Sequence, residues 1–455
     1  MLFSNKDIFK IITPILVEML LSIAIGMVDS VMVSSVGESA VSGVSLVNTI
    51  NVLLLNFLTA MTVGGAIVMA QLIGRKDNDL AKEAGKQTLY LALFVALVVT
   101  TVCFIFRNAI LNLIFGKVDA DVMYHAQNYF FYTIISTPVL AIACASAGIC
   151  RAQGETKRPM FFTIIANLVN VVGNAVLIYG YNMGASGAAI ATSISRLVHA
   201  GLLFVFVLKP KSYMFGLEKV FKYKPNGYLI KRICGIGIPN GFESSMFQIG
   251  RVLLTSLVSG FGTASIAANA VANTLTSFQY AQGNAIGAGV TTIVGRCIGA
   301  GEKEQAKNNA KKLVFFAYIG MFIVSAILCG FAGPFVSAFN LSSDSTEICK
   351  NIIYIHSIMV CLIWPIAFVL PNAFRSANDV KFTTVISMIA MWAFRVALSY
   401  VFAYAFNMGV YSVWFAMFLD WVFRIIFFIP RFITGKWLSK YNFSEKIENA
   451  NKEVA

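Results

Sequence analysis

The sequence predicts an all-α integral membrane protein of twelve transmembrane helices, arranged as two six-helix bundles related by a pseudo-two-fold along the membrane normal. Three observations lead there: composition, the count of apolar runs, and an internal repeat. Of 455 residues, 58% are hydrophobic and 12% charged, against about 45–50% and about 25% in soluble domains. A mean hydropathy of +0.76 spread over the whole chain leaves no room for an ordinary soluble catalytic domain, so a soluble enzyme and a one-span receptor are both excluded.

Apolar runs of about 20 residues, enough to cross a hydrocarbon core of about 30 Å, fall near 8–34, 42–73, 87–106, 126–150, 159–181, 185–208, 229–260, 265–296, 313–339, 351–374, 382–406 and 409–434. The runs are continuous and do not alternate with period two, which favours helices over a β-barrel. The first run follows Lys6 and Lys10 as a signal peptide would. It is nevertheless long, carries Glu18 and Asp29 and lacks a small-residue cleavage site, so it reads as the first span.

Loop charge orients the spans. Of 35 Lys and Arg, the loops of one side hold only Arg107, Lys117 and Lys350, and Arg196, Arg251, Arg395 and Arg424 fall inside spans. The rest lie on the side that carries both termini, which the positive-inside rule places in the cytoplasm of a plasma (inner) membrane. The net charge of +14 therefore records topology, with no nucleic-acid partner implied. The eight cysteines are scattered through apolar segments without a Cys-x-x-Cys pair and read as small apolar fillers.

At a lag of 225, Pro14 falls on Pro239, Glu18 on Glu243, Gly37 on Gly262, Asn48 on Asn273, Gly64 on Gly289 and Gly74 on Gly299. At 224, Arg151 falls on Arg375 and Lys157 on Lys381. Residues 1–208 and 229–434 thus form two six-helix halves, joined by a basic linker at 209–228 (Lys209, Lys211, Lys219, Lys222, Lys224) and followed by a tail at 435–455. Six spans per copy give the halves the same orientation, and folds of this kind place a substrate cleft between or within halves that rock against each other. A transporter is the leading class, with the lipid bilayer and a small molecule as its partners and a monomer as its expected state.

Four stretches carry a family resemblance: Pro14 to Gly37 with Val28-Asp29-Ser30-Val31-Met32-Val33, Gly64-x6-Gln71-x2-Gly74, Arg151-Ala-Gln-Gly154-Glu-Thr-Lys157-Arg-Pro159, and Gly184-Ala-Ser-Gly187-Ala-Ala-Ile-Ala-Thr192. In order and spacing they resemble the multidrug and toxic compound extrusion (MATE) family over about residues 5–435, nearer its DinF-like than its NorM-like branch. The resemblance implies a secondary antiporter, not an enzyme, that exports organic cations or other amphiphilic compounds in exchange for inward H⁺ or Na⁺, with no cofactor.

Ionisable residues within spans are costly, and each is a functional candidate. Asp29 lies about six residues, or about 9 Å, from the outer end of span 1. Asn174 in span 5 and Thr192 in span 6 fall at nearly the same depth, and Asn170 is one turn from Asn174 on the same face. In the DinF-like branch the corresponding positions are assigned to cation coupling, which carries over to Asp29, Asn170, Asn174 and Thr192. These could bind Na⁺ through oxygen ligands, or hold a proton on Asp29, since burial disfavours a charged carboxylate. Asn174 stands where that branch typically has a second carboxylate, which weakens a tight Na⁺ site and favours a titrating Asp29. A purely structural role for Asp29, or a place in a wet vestibule, is the alternative.

Pro14, about 22 Å before Asp29 along the same helix, is a candidate conformational switch, or else a static kink like Pro239. Glu243 matches the span 7 carboxylate of the NorM-like branch, but that branch's span 10 aspartate is here Trp364. The second half instead adds Arg251 and Arg395, and Glu243 is expected to pair with Arg395 or Arg251 as an internal latch. Glu18 is placed at a cytoplasmic mouth or a wet vestibule. Asp420 and Arg424, four apart, are expected to pair locally, and His125, His199 and His356 to take interfacial structural roles. Gly283-x3-Gly287 and Gly295-x3-Gly299 suggest close helix packing. The runner-up is a lipid-linked oligosaccharide flippase of a related fold, kept open by Arg251 and Arg395. A membrane-embedded enzyme lacks the Asp-rich, His-Glu-x-x-His or Ser/His motifs it would need.

Overall fold

A computed structural model describes residues 2–441 except 117, 210–213, 218, 219, 223 and 340. Lys117, Lys211, Lys219 and the tail beyond 441, which the charge reading used, lie outside the described residues. Twelve spans follow one another, because in lipid a helix satisfies every backbone polar group within its own segment. They are α1 (Asn5–Ser34), α2 (Glu38–Gly74), α3 (Asn78–Ile105), α4 (Ala120–Ile135 continued by Thr137–Ala152), α5 (Lys157–Gly180), α6 (Gly184–Leu208), α7 (Gly227–Ser259), α8 (Thr263–Gly299), α9 (Lys303–Gly330), α10 (Ser343–Ser376), α11 (Val380–Tyr404) and α12 (Tyr411–Ile433). Among the described residues, nine helices are long and apolar enough to cross a membrane, and the bent pair of α4 makes a tenth. The other two, α7 and α8, have the length, at 33 and 37 residues. Arg232, Glu243 and Arg251 in α7, and the Asn, Gln, Gly and Thr of α8, make them less apolar.

The bend in α4 has an identifiable cause. Its two parts meet at 48° around Ser136, where Pro138 lacks the N–H that would bond back into the preceding turn. The freed acceptors find other donors: the Thr100 hydroxyl donates to the Ile134 carbonyl at 3.5 Å, and Arg196 of α6 donates to the Thr133 carbonyl at 3.1 Å and to the Ser136 hydroxyl at 2.7 Å. Arg196, a charge inside a span, is thereby accounted for as a brace.

The repeat is visible in the backbone. Among the described residues, all positive-φ residues but Gly435 occur in pairs at the same lags: Gly37 with Gly262, Lys76 with Gly301, Gly154 with Asn378, Asn182 with Asn407, and Gly184 with Gly409. The short helices Arg107–Phe115 and Ala332–Ser337 also start one lag apart. Among the described residues, three wide π-helical turns occur, at Ala175–Gly180 in α5, Pro365–Val369 in α10 and Ala390–Ala397 in α11.

Two compact units emerge, one of residues 13–241 and one of residues 1–12 with 242–455. The divisions fall within α1 and α7, beside Pro14 and Pro239, instead of at the 209–228 linker. In the first unit, α7 contributes Asn240, which donates to the Ala60 carbonyl at 2.9 Å, and Gly237. A Cβ at Gly64 would lie 2.7 Å from the Gly237 nitrogen and the Ile233 carbonyl, so only glycine lets α2 and α7 approach this closely. In the other unit, Phe9 of α1 packs on Phe316 at 5.1 Å. The α8 glycines make room as their spacing suggested: Gly283 faces the Trp364 ring and Gly287 the Asn372 amide.

Candidate functional site

The first unit brings the sequence candidates together. Asn174, 1% exposed and placed where α5 widens into its π-helical turn, donates from Nδ2 to Oδ1 of Asp29 at 2.8 Å. Asn170, also buried, lies one turn before it. With its amide nitrogen facing the carboxylate, it reaches Oδ1 of Asp29 at 2.7 Å and Oδ2 at 2.9 Å. The opposite atom of that amide then faces the Thr192 hydroxyl at 3.4 Å, and Thr192 donates to the Ala188 carbonyl at 2.9 Å. One half-buried carboxylate is thus held by two amides from α5, with a hydroxyl from α6 behind them. Oδ1 of Asn174 is buried and has no hydrogen-bond partner among the described residues, so an acceptor remains beside the carboxylate for a cation or a proton donor. Tyr129 on α4 lines the neighbouring core and donates to Asn48 at 3.2 Å.

Pro14 lies inside a continuous α1, on the Asp29 side of the division between the compact units.

The Glu243 pairing differs from the expected one. Its partner is Arg375 of α10, at 2.7 Å, and the Thr384 hydroxyl of α11 donates to its other oxygen at 3.2 Å. Arg395 turns instead to Asp420, at 3.6 Å, and packs its guanidinium 5.2 Å from the centre of the Phe247 ring. Arg251 borders a cavity with Arg395 and makes no ion pair among the described residues. The physical reason is reach: Glu243 and Arg251 are eight residues apart on one helix, about 12 Å, whereas Arg375 closes on the carboxylate from a neighbouring span.

A matching pair occurs in the first unit. Glu18 bonds Arg151 at 2.9 Å, and the Thr163 hydroxyl lies 3.5 Å from the same carboxylate oxygen and 3.2 Å from Nε2 of His199. Neither ion pair was anticipated, although the signal was present: the repeat aligns Glu18 with Glu243 and Arg151 with Arg375. Two conserved-lag carboxylates and two conserved-lag arginines make one pair per half.

Asp420 and Arg424 form the expected local pair at 2.7 Å, extended by an Arg424 bond to the Ser387 hydroxyl at 2.8 Å. His356 departs from its expected interfacial place. It is fully buried, 2.6 Å from the Tyr280 hydroxyl, and ringed by Trp414, Phe418 and Trp421. Trp364, standing where an aspartate was looked for, stacks on Phe368 at 5.0 Å.

Comparison with known proteins agrees with this frame. The MatE family model matches residues 14–176 and again residues 239–401, one match per half. An uncharacterized transporter, YisQ of Bacillus subtilis, is 25% identical, with 95% of each chain covered. A probable multidrug resistance protein NorM of Thermotoga maritima is 24% identical, covering 95% of this chain and 93% of its own. Among solved structures, a multidrug resistance MATE family transporter in an outward-facing conformation superposes with a TM-score of 0.88 at 18% identity, covering 96% of both chains.

Proposed function

The chain belongs to the MATE family of multidrug efflux transporters, and from that premise we propose that it is an antiporter that exports organic cations or other amphiphilic compounds against inward H⁺ or Na⁺. The observation that carries this reading is the Asp29 cluster. Asn174 and Asn170 donate to the carboxylate when it is ionised. An amide also has an acceptor oxygen, so rotating one of them would let it receive the proton of a neutral Asp29. Both states of the carboxylate can therefore be hydrogen-bonded, which is what a coupling group needs. The buried, unpartnered Oδ1 of Asn174 supplies a second oxygen toward a cation. With one formal negative charge in the cluster, H⁺ is the favoured coupling ion and Na⁺ the competing one.

In this reading the Pro14 kink changes as Asp29 loads and unloads, the halves 1–208 and 229–434 move as bundles about the 209–228 linker, and the chain works as a monomer in a plasma membrane with cytoplasmic termini. The Trp364 substitution and the Asp29 cluster, with Asn174 in place of a second carboxylate, are the features we read as favouring the DinF-like branch. Flippase activity on a lipid-linked oligosaccharide is the second reading, favoured by Arg251, which has no ion-pair partner among the described residues, and Arg395, held only loosely by Asp420.

The test is efflux of a fluorescent organic cation from proteoliposomes under separately imposed H⁺ and Na⁺ gradients, for wild type and Asp29→Asn. One gradient drives efflux in the wild type and the substitution abolishes that response. Efflux by Asp29→Asn equal to wild type under both gradients refutes the coupling role.

A further inference from the structure

The spans of the second half carry more positive charge than their own carboxylates neutralise. Glu243 is taken by Arg375 at 2.7 Å, and Asp420 by Arg424 at 2.7 Å and more loosely by Arg395 at 3.6 Å. The Arg395 side chain is 12% exposed, and its Nε has no hydrogen-bond partner among the described residues. Arg251 has no carboxylate within ion-pair distance there either. Arg251 is exposed and Arg395 largely buried; a span arginine without a full counter-charge marks a place where a group of opposite sign can bind.

The two arginines share one place. They line a cavity of about 60 Å³ with Asn269, Asn273, Thr255 and Trp414, room for a few water molecules or a small acidic group. Its walls are fixed by Phe247 against the Arg395 guanidinium and by the Trp414 indole, whose Nε1 donates to Oδ1 of Asn269 at 3.1 Å. Trp414 is also a wall of a larger cavity of about 480 Å³, lined by apolar and aromatic side chains such as Ile355, Phe415 and Phe418. Trp414 thus borders both the small cationic cavity and an open apolar groove whose Ile355 and Phe415 walls are exposed.

The repeat gives the contrast its meaning. At the lag of 225, Asp29 falls on Leu254, itself a wall of the cationic cavity, and Gly26 falls on Arg251. The level that is acidic and amide-lined in the first half is basic in the second.

We propose that this second-half cavity binds the acidic group of an amphiphile, a carboxylate or phosphate, with Arg251 and Arg395 as its counter-charges and the apolar body of the ligand against Trp414. The transported compounds then include anionic amphiphiles. The inference rests on the transport reading only in calling the ligand cargo, since binding itself requires no ion gradient.

The test is calorimetric titration of the full chain, in nanodiscs of neutral phosphatidylcholine, with three probes of equal tail: dodecanoate, dodecyl phosphate and dodecyltrimethylammonium. Both anions bind at least about tenfold more tightly than the cation. Arg251→Gln weakens anion binding by roughly tenfold to a hundredfold, the range of one charge-assisted contact, and Arg251→Lys restores most of it. Asn273→Asp, which puts a counter-charge on the same wall, weakens anion binding likewise. Adding phosphatidylglycerol to the nanodiscs separates the sources: lost probe binding identifies a membrane lipid headgroup as the occupant, and unchanged binding a free amphiphile. Equal affinity for anion and cation, or anion binding indifferent to both substitutions, overturns the proposal. That result would leave coupling at Asp29 standing.

Discussion

The two matched ion pairs make a quantitative claim about coupling. Take Glu243→Ala. The substitution removes the partner of Arg375, bonded at 2.7 Å, and the acceptor for the Thr384 hydroxyl at 3.2 Å. Breaking a buried pair from one side costs about 3–5 kcal/mol, because the remaining charge is left desolvated. The two side chains here are 13% and 14% exposed, so partial hydration of the stranded arginine brings the expected cost down to about 2–3 kcal/mol. Arg375→Ala strands the carboxylate and costs about the same. The double substitution leaves neither charge and is expected to cost less than the sum of the singles by about 1–2 kcal/mol, the coupling energy of the pair. The measurement is a double-mutant cycle by equilibrium unfolding in mixed micelles, repeated for Glu18 and Arg151. That pair is longer, at 2.9 Å, and its arginine is wetter, at 22% exposed, so its coupling is expected to be the smaller of the two. Additivity within about 0.5 kcal/mol at Glu243 and Arg375 refutes the claim that this pair clamps α7 to α10.

Gly64→Ala is expected to destabilise the protein by about 1–3 kcal/mol in thermal unfolding, because the new methyl would meet backbone atoms of Gly237 and Ile233 at 2.7 Å. Gly148→Ala, whose nearest neighbours would stand at 3.7 Å, serves as the neutral control, and equal effects at both sites refute the close-approach argument. Asn174→Asp adds a second carboxylate oxygen pair beside Asp29 and is expected to tighten ²²Na⁺ binding at neutral pH by about tenfold or more. No gain in Na⁺ affinity refutes the placement of the Asn174 side chain toward the ion.

The span frame was legible because bilayer thickness imposes a length and lipid imposes an apolar composition. Two departures show its limits. The break at Ser136 in α4 was hidden since Pro138 sits in an otherwise apolar run, and only the bonds from Thr100 and Arg196 explain why that run stays within one span. The Asp29 cluster was legible from depth alone, since four polar groups at one level on three helices have few other partners. The Glu243 pairing was misread because depth does not say which face of a helix a charge occupies. Arg395 stood at a plausible level yet turns to Asp420, while Arg375, counted as a loop charge, reaches inward. His356 was misread for a related reason: an isolated histidine carries no pattern, and its aromatic neighbours, Tyr280 of α8 and Trp414, Phe418 and Trp421 of α12, lie on two other spans.

The comparison of halves also constrains mechanism. Where the repeat is kept, at Glu18 and Glu243 or Arg151 and Arg375, the paired residues form the same contact twice, as expected of a scaffold whose two bundles must bear similar loads. Where it is broken, Asp29 gives way to Leu254 and Gly26 to Arg251, so this level carries a negative group in the first half and a positive one in the second. A static packing role would predict divergence toward apolar residues on both sides, since burying either sign in a membrane costs free energy with nothing to offset it. Divergence toward opposite charges is expected only if each half meets a different charged species: a cation at Asp29, and an anionic group between Arg251 and Arg395. On that argument a neutralised double variant, Asp29→Asn with Arg251→Gln, should unfold at a temperature no lower than wild type while losing both gradient response and anion binding. A double variant that unfolds well below wild type would show instead that the charges serve the fold.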